Sequence, residues 1–325
     1  MAMRNKIYMM LVAALLVAGC EKEIPLDADG IEPKVVVNGT VEEGSPLNVR
    51  LTYSRLIFGW HDADEDYTFD VINNATMAVK VNGTEYSGTL APDSGNYQFA
   101  YIPQEGDKID LTVKVPGHED LTASTVVPRK PVLSDMRASQ RNTGDQEVQI
   151  DVRFKLTDPA SETNYYRMRV YMYDTVVYRY ADYNGDTVTE VYGGEPLRIS
   201  FSCNDAAISP MGINDISIDE DVTYGTLFFT DNALNGETHE IHMNFLQWNG
   251  GYWEKDDVTT HKYVEVEIVG MTRDRFLYEQ SIDAAGQEDD LGLFQEPVQV
   301  HCNIEGGIGI FAGTAAGRLK AEIAE

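Results

Sequence analysis

Cys20 is the residue of this sequence with the most definite chemistry, because a thiol at this position can be acylated. It follows Leu16-Val17-Ala18-Gly19, at the end of an apolar stretch over residues 7–18 that two basic residues precede. A charged start, a short apolar run and small residues before the cut are typical of a secretory signal peptide. The stretch is too short for a transmembrane helix, which needs about 20 apolar residues. We therefore predict a signal peptide over residues 1–19 and a lipid anchor on Cys20.

Two further cysteines, Cys203 and Cys302, could form a disulfide, because a secreted chain reaches an oxidising compartment. The bridge would close a loop of roughly 100 residues. By reducing the entropy of the unfolded chain, it would add about 4–5 kcal/mol to the free energy of unfolding. Two free thiols fit the sequence equally well. We expect no metal site here, because a structural zinc site needs further closely spaced ligands.

Clusters of acidic residues could offer oxygen ligands to a hard cation such as Ca²⁺. Asp62-x-Asp64-x-Asp66 begins like an EF-hand loop, but Tyr67 stands where that loop requires glycine. A second, weaker cluster lies at residues 215–221. We interpret both as solvated loops and expect neither a metal nor a cofactor.

The histidines and the nucleophiles do not form a recognised catalytic set. His239 and His242 are three residues apart in a predicted strand, so they point to opposite faces and are poor co-ligands. The sequence contains no Gly-x-Ser-x-Gly elbow and no zincin histidine pair. We predict that the protein is not an enzyme, and a hydrolase with an unrecognised carboxylate site is the less favoured alternative.

Aromatic residues offer a better indication of function than the charged clusters. The segment from Trp248 to Trp253 predicts a loop tip, and Trp248, Tyr252 and Trp253 are our candidate ligand-binding residues. A second group of aromatic residues is a tyrosine-rich stretch between Tyr165 and Tyr192, for which we favour packing across strands over binding.

The overall charge restricts the class of partner. The chain has 53 acidic and 25 basic residues, a formal net charge of −28. This excess argues against binding to nucleic acid, because like charges repel and no basic patch could neutralise phosphates. We interpret it as a means of solubility for a surface protein.

Alternating apolar and polar residues predict that the chain is mainly β. About seven short strands in residues 34–128 predict an immunoglobulin-like or prealbumin-like β-sandwich, with Asn82-Gly83 at a hairpin turn. Pro128 and Pro131 mark a boundary, because neither can continue a strand. Residues 132–325 predict a second β-rich domain with one helix over Thr272–Ala285, and residues 20–33 predict an acylated tether.

Several segments resemble a known family. They are the start at Cys20 followed by Glu21-Lys22-Glu23, the run Lys34–Gly39, and above all Asn303-Ile304-Glu305-Gly306-Gly307-Ile308-Gly309-Ile310-Phe311. Together they resemble the Bacteroidota outer-membrane lipoproteins grouped as domain of unknown function 4249. The sequence departs from that pattern at His301-Cys302, where Tyr-Ser is expected.

The resemblance implies a lipoprotein of the outer membrane, exposed at the cell surface and often encoded beside a TonB-dependent transporter. It implies no reaction and no catalytic residues. We therefore expect a surface-tethered module that binds a ligand or assists such a transporter in nutrient uptake. A structural or adhesive surface protein is the alternative.

Overall fold

The computed structural model describes residues 32–55, 70–92, 94–144, 147–160, 162–205, 207–208, 223–234, 236–248, 258–286 and 299–324. The chain divides into two units, and the unit made of Lys34–Ser54 and Thr68–Glu325 contains the strands and the helix described below. The signal peptide, Cys20, the two acidic clusters and almost all of the predicted tether lie outside the described residues.

The described chain is mainly β with a single helix, which confirms the predicted fold class. The strands are β1 (Val35–Glu42), β2 (Asn48–Tyr53), β3 (Thr76–Val81), β4 (Thr84–Ser87), β5 (Thr89–Leu90), β6 (Asn96–Gln98), β7 (Lys108–Lys114), β8 (Leu121–Val126), β9 (Val132–Gly144), β10 (Glu147–Thr157), β11 (Tyr165–Ala181), β12 (Thr187–Gly193), β13 (Leu197–Ile199), β14 (Leu227–Thr230), β15 (Thr238–Trp248), β16 (Val258–Met271) and β17 (Ile308–Ala324), and the helix is α1 (Arg273–Gly286).

The strands form two sheets. Thirteen strands belong to one extended sheet, whose main path runs β12-β11-β16-β17-β1-β2-β6-β5, with β9, β10, β13, β14 and β15 attached beside it. The other sheet has four strands in the order β4-β3-β7-β8. Almost all neighbours are antiparallel, and β17 is the exception because it runs parallel to both β1 and β9.

The first hydrophobic core lies between the four-stranded sheet and β1, β2 and β6. Alternate residues of β3 and β7 are buried, as the period of two requires for strands with one covered face. Asn82 and Gly83 both have positive φ, 48° and 94°, which confirms the predicted hairpin turn. Ile304 and Phe311 from the end of the chain are also buried in this core.

The second core contains the buried faces of β10 and β15 together with those of β11 and β16. On β10 the buried residues are Val148, Ile150, Val152, Phe154 and Leu156, and on β11 they are Tyr166, Met168, Val170 and Met172. The two cores follow the two halves separated by Pro128 and Pro131. The division into two independent domains stays a prediction, because β17 pairs with strands of both halves.

Helix α1 confirms the helix predicted over Thr272–Ala285. The hydroxyl of Thr272 accepts a hydrogen bond from the backbone N–H of Arg275 at 3.4 Å, which caps the first turn. Phe276 is buried against the sheet surface that faces away from the second core. Its buried neighbours there are Phe228, Val269 and Met271.

A network of buried charges fixes α1 on the sheet. The carboxylate of Glu279 accepts hydrogen bonds from Arg167 at 2.5 Å and from Arg275 at 2.6 Å. Burial raises the pKa of Glu279, but the charges and hydrogen bonds of these two guanidinium groups outweigh it and hold the pKa below its ordinary value. Arg167 also lies 3.7 Å from Glu267, which accepts from Arg318 at 2.6 Å. The helix is thus tied to β11, β16 and β17.

The segment Asn303–Phe311, which leads into β17, is fixed by the side chain of Asn303 and by the backbone conformation of Gly309. The side chain of Asn303 donates to the carbonyl oxygen of Phe311 at 2.8 Å and accepts from its N–H at 2.9 Å, as a neighbouring strand would do. Gly309 has a φ of 115°, and a Cβ at this position would overlap the carbonyl oxygen of Val37. Gly306, in the turn before β17, also has a positive φ, 79°.

Gly309→Ala should lower the free energy of unfolding by at least about 2 kcal/mol, because the new Cβ meets backbone and the φ is strained for alanine. Chemical denaturation of the purified protein measures this. Gly225→Ala is the matched control, because its nearest neighbour to a new Cβ is the end of the Arg198 side chain at 3.6 Å. Equal stability of the two variants would contradict the proposed role of Gly309.

Glu279→Gln should destabilise the protein by about 3 kcal/mol at neutral pH, because two buried guanidinium groups lose their partner. The folded pKa of Glu279 is depressed, so the stability it adds is present above the ordinary glutamate pKa of about 4.3 and is lost as the pH falls through the folded value. The difference in unfolding free energy between wild type and variant should therefore shrink below about pH 4. A difference that is independent of pH would contradict this assignment, and Glu85→Gln serves as the exposed control.

Candidate functional site

A concave surface lies on the hairpin of β11 and β12. The turn is built by Asp182, whose carboxylate accepts from the backbone N–H groups of Asn184 at 2.8 Å and Asp186 at 2.9 Å. Gly185 completes it with a φ of 86°. The register of the two strands follows from this turn and places Tyr178 opposite Glu190.

One face of β11 is buried in the second core at the start of the strand and lines a concave surface towards its end. From Tyr166 to Met172 the even-numbered residues are buried in the second core. Beyond Met172 the same face continues with Asp174, Val176, Tyr178 and Tyr180, because side chains two residues apart in a strand lie on one face. The rings of Tyr178 and Tyr180 thus extend a buried surface beyond the point where the core ends.

The partner strand β12 completes a groove along this face. Cross-strand pairing places Tyr192 opposite Val176, on the same side as Glu190 and Tyr178. The groove has a volume of about 480 Å³, a size typical of small-molecule sites. We call it the tyrosine groove, and its lining residues are Asp174, Val176, Tyr178, Tyr180, Glu190, Tyr192 and Gly193.

Glu190 organises the aromatic rings of the tyrosine groove. Its two carboxylate oxygens accept hydrogen bonds from the hydroxyls of Tyr180 at 2.8 Å and Tyr192 at 2.6 Å. These bonds lower the pKa of Glu190 and raise the pKa of both tyrosines. The rings of Tyr178 and Tyr192 meet edge to face, with centroids 5.5 Å apart. At neutral pH Glu190 is therefore charged, and the tyrosines keep their protons.

Asp174 lies where the groove meets the core. Its Oδ1 atom is buried and has no hydrogen-bond partner among the residues that the structure describes. A buried acceptor without a donor is costly, by about 1–3 kcal/mol. Asp174 thus contributes a partly desolvated carboxylate to the lining of the groove.

The tyrosine groove combines aromatic contact surface with negative charge. It offers aromatic surface and two carboxylates, but its lining residues include no histidine, cysteine, serine or lysine that could act as a nucleophile or a proton shuttle. In the described part of the chain, no group of three or more His, Cys, Asp or Glu side chains could hold a metal ion.

A pair of buried carboxylates elsewhere serves the fold. Asp158 and Asp231 are each 3% exposed. Asp158 accepts from the hydroxyl of Tyr166 at 2.9 Å and from the N–H of Gly236 at 3.0 Å, and Asp231 accepts from Asn164 at 2.9 Å. Burial raises the pKa of Asp158. Since protein donors occupy these oxygens, the pair fastens loops and does not resemble an accessible acid and base.

A second concave surface, of about 330 Å³, lies between α1 and the first two strands. Its one guanidinium group, Arg275, is already committed to Glu279 and to the hydroxyl of Thr40 at 3.0 Å. The remaining lining residues are mostly polar, with Tyr278 as the one aromatic residue among them.

The predicted binding residues are only partly within the described chain. Trp248 ends β15 and is 63% exposed, as a binding residue would be. Tyr252 and Trp253 lie outside the described residues. Binding at this loop therefore stays a prediction.

Both remaining cysteines are free thiols in the structure, so the disulfide that the sequence left open is not formed. Cys203 is buried in the second core, where burial raises its pKa to about 11, whereas Cys302 is exposed. His239 and His242 lie on opposite faces of β15, as predicted. They face different carboxylates, Asp205 at 2.8 Å and Asp151 at 3.6 Å.

The tyrosine-rich stretch divides into two groups. Packing is the right interpretation for Tyr165 and Tyr166, whose rings lie 5.1 Å from Phe276 and 5.2 Å from Phe229. Packing alone does not describe Tyr178, Tyr180 and Tyr192, because these three side chains also line the tyrosine groove. The sequence signal that could have separated them is Asp174, a carboxylate on the otherwise apolar face of the strand.

Comparison with known proteins gives a match over nearly the whole chain. Residues 21–320 match the profile of the family described as Domain of unknown function (DUF4249). No curated protein matches the sequence significantly. Among the described residues, no helix has the length and apolar character needed to cross a membrane.

Glu190→Gln should lower the pKa of both Tyr180 and Tyr192, because their hydrogen bonds to the charged carboxylate are the main cause of the upward shift. Titration followed by NMR of tyrosine labelled at Cζ measures this, with single Tyr→Phe variants for assignment. Glu85→Gln is the control and should leave both midpoints unchanged. Unaltered midpoints in Glu190→Gln would show that Glu190 does not hold the rings.

Proposed function

The chain belongs to the family described as Domain of unknown function (DUF4249), and from that premise we propose that it is a lipid-anchored surface module that binds a small ligand in the tyrosine groove. It would act beside a TonB-dependent transporter of the outer membrane. The proposal concerns binding and delivery, not catalysis.

The tyrosine groove is the observation that carries this proposal. Tyr180 and Tyr192 are 44% and 54% exposed, whereas Val176 on the same face of β11 as Tyr180 is buried. Exposed aromatic surface in a concave site is unusual unless it serves recognition, because tyrosine gives rigid contact area with a polar end. The hydrogen bonds to Glu190 hold the rings in place before any ligand arrives. Such preorganisation reduces the entropy lost on binding.

The proposed location depends on the N-terminal sequence. Acylation of Cys20 would anchor the chain, because each buried methylene of a lipid contributes about 0.8 kcal/mol. Glu21-Lys22-Glu23 resembles the surface-export signal of Bacteroidota lipoproteins. We propose the outer face of the outer membrane as the place where the protein works.

The proposed partner rests on the family resemblance. Its members are often encoded beside TonB-dependent transporters, and a tethered binding module next to such a transporter would raise the local concentration of ligand. The acidic excess of the chain suits this arrangement, because it disfavours adsorption to an anionic membrane surface.

An affinity pull-down of the tagged, lipidated protein from its native outer membrane tests the proposal. We expect wild type to fractionate with the membrane and to recover a TonB-dependent transporter. Cys20→Ser should appear in the soluble fraction and recover none, because it lacks the acylated thiol. Tyr178→Leu with Tyr192→Leu should keep the membrane location and lose ligand binding. Recovery of no transporter, together with no binding of any candidate nutrient, would contradict the proposal.

A further inference from the structure

The tyrosine groove presents acceptors and negative charge but almost no donors. Tyr180 and Tyr192 already donate their hydroxyl hydrogen bonds to Glu190, so their oxygens face a ligand only as acceptors. Each carboxylate oxygen of Glu190 keeps a second lone pair that no hydrogen bond described here uses. The carboxylate of Asp174 also lines the groove and adds a second negatively charged acceptor group. A complementary ligand must therefore bring N–H or O–H donors.

The charge of the groove decides which kind of donor fits. Its lining contains two carboxylates and no Lys, Arg or His. Lys262 pairs with Asp174 across β11 and β16 but is not one of the lining residues, and even with it the local charge is negative. The chain as a whole has a formal charge of −28, so the surrounding field does not offset this. Two carboxylates beside aromatic rings favour a cation over a neutral or anionic ligand.

The aromatic rings favour a cation as well. The faces of tyrosine rings are electron-rich and attract an ammonium or guanidinium group within about 6 Å of the centroid. Tyr178, Tyr180 and Tyr192 all line the groove together with Glu190, so aromatic rings and a carboxylate lie side by side there. Ring and carboxylate together are the chemistry that recognises organic cations in proteins.

We infer that the tyrosine groove binds an organic cation that carries N–H donors, namely an alkylammonium or guanidinium group such as those of lysine and arginine side chains. The cation lies beside Glu190 and a tyrosine ring, with the carboxylate of Asp174 as the second negative charge of the site. The volume of about 480 Å³ accommodates such a side chain with part of its backbone. This inference rests on the proposed binding function and specifies its ligand.

Isothermal titration calorimetry on the purified mature protein in detergent tests the inference with matched probes. N-acetyl-lysine amide carries the cation, N-acetyl-norleucine amide has a similar shape without charge, and the ε-trimethylated lysine probe has the charge without N–H donors. We expect the lysine probe to bind at least about tenfold more tightly than the norleucine probe. The trimethylated probe should fall between them, and added salt should weaken the lysine probe.

Two groove variants and one control separate charge from shape. Glu190→Gln and Asp174→Asn should each weaken the lysine probe by about tenfold, because each removes one negative charge while keeping the side-chain shape. Glu85→Gln, on the exposed edge of the four-stranded sheet, should bind like wild type. Circular dichroism checks that all three variants are folded.

Three results would overturn the inference. They are equal binding of the norleucine and lysine probes, tighter binding of a neutral disaccharide such as maltose, and no loss of binding in Glu190→Gln. If the lysine probe fails but the pull-down recovers a transporter, only the ligand assignment is wrong. If both experiments fail, the proposed function is wrong as well.

Discussion

The closing strand β17 is the constraint on which the rest of the fold depends, because both hydrophobic cores use it. Phe311 near its start is buried in the first core, and Ile323 near its end is buried in the second. Between them the strand pairs with β1 on one side and β16 on the other. Neither core is complete until the last residues of the chain are in place. The two halves therefore depend on each other although each has its own apolar interior.

Gly313 and Gly317 of β17 allow the segment that connects the two halves to pack directly against this strand. A Cβ at Gly313 would overlap the carbonyl oxygen of Val126, and one at Gly317 would overlap that of Pro131. The segment that contains Pro128 and Pro131 thus lies in close contact with the strand and is not a free linker. The prolines stop strand pairing, as expected. The glycines leave room for the backbone of the proline-containing segment.

The sequence predicts the local structure well because local structure depends on near neighbours. Alternation in β3, β7 and β10 gives the strands, Asn82-Gly83 gives the turn, and Thr272 gives the start of the helix. The parallel pairing of β17 with β1 could not be predicted, because those residues are separated by most of the chain. The glycines in Asn303–Phe311 permit the close approach of another backbone, but their sequence does not reveal which strand approaches.

The tyrosine groove could not be predicted for a related reason. Met172 and Val176 follow the same alternation on β11, yet only the first belongs to the second core cluster. The core ends where the strands that face β11 end. The sequence of β11 alone does not indicate how long those strands are. Asp174 is the one local sign of the change, since a carboxylate on an apolar face requires a donor or a boundary.

Shape and charge in the tyrosine groove come from the same residue. Glu190 positions two rings through its hydrogen bonds and also carries the negative charge that those rings surround. A cation can therefore neutralise Glu190 without moving the tyrosines, since it needs only the lone pairs that the hydroxyls leave unused. An anion or a neutral ligand would leave the charge unpaired in a site partly removed from water. The hydrogen bonds that hold the groove open thus also restrict which ligands it can accept.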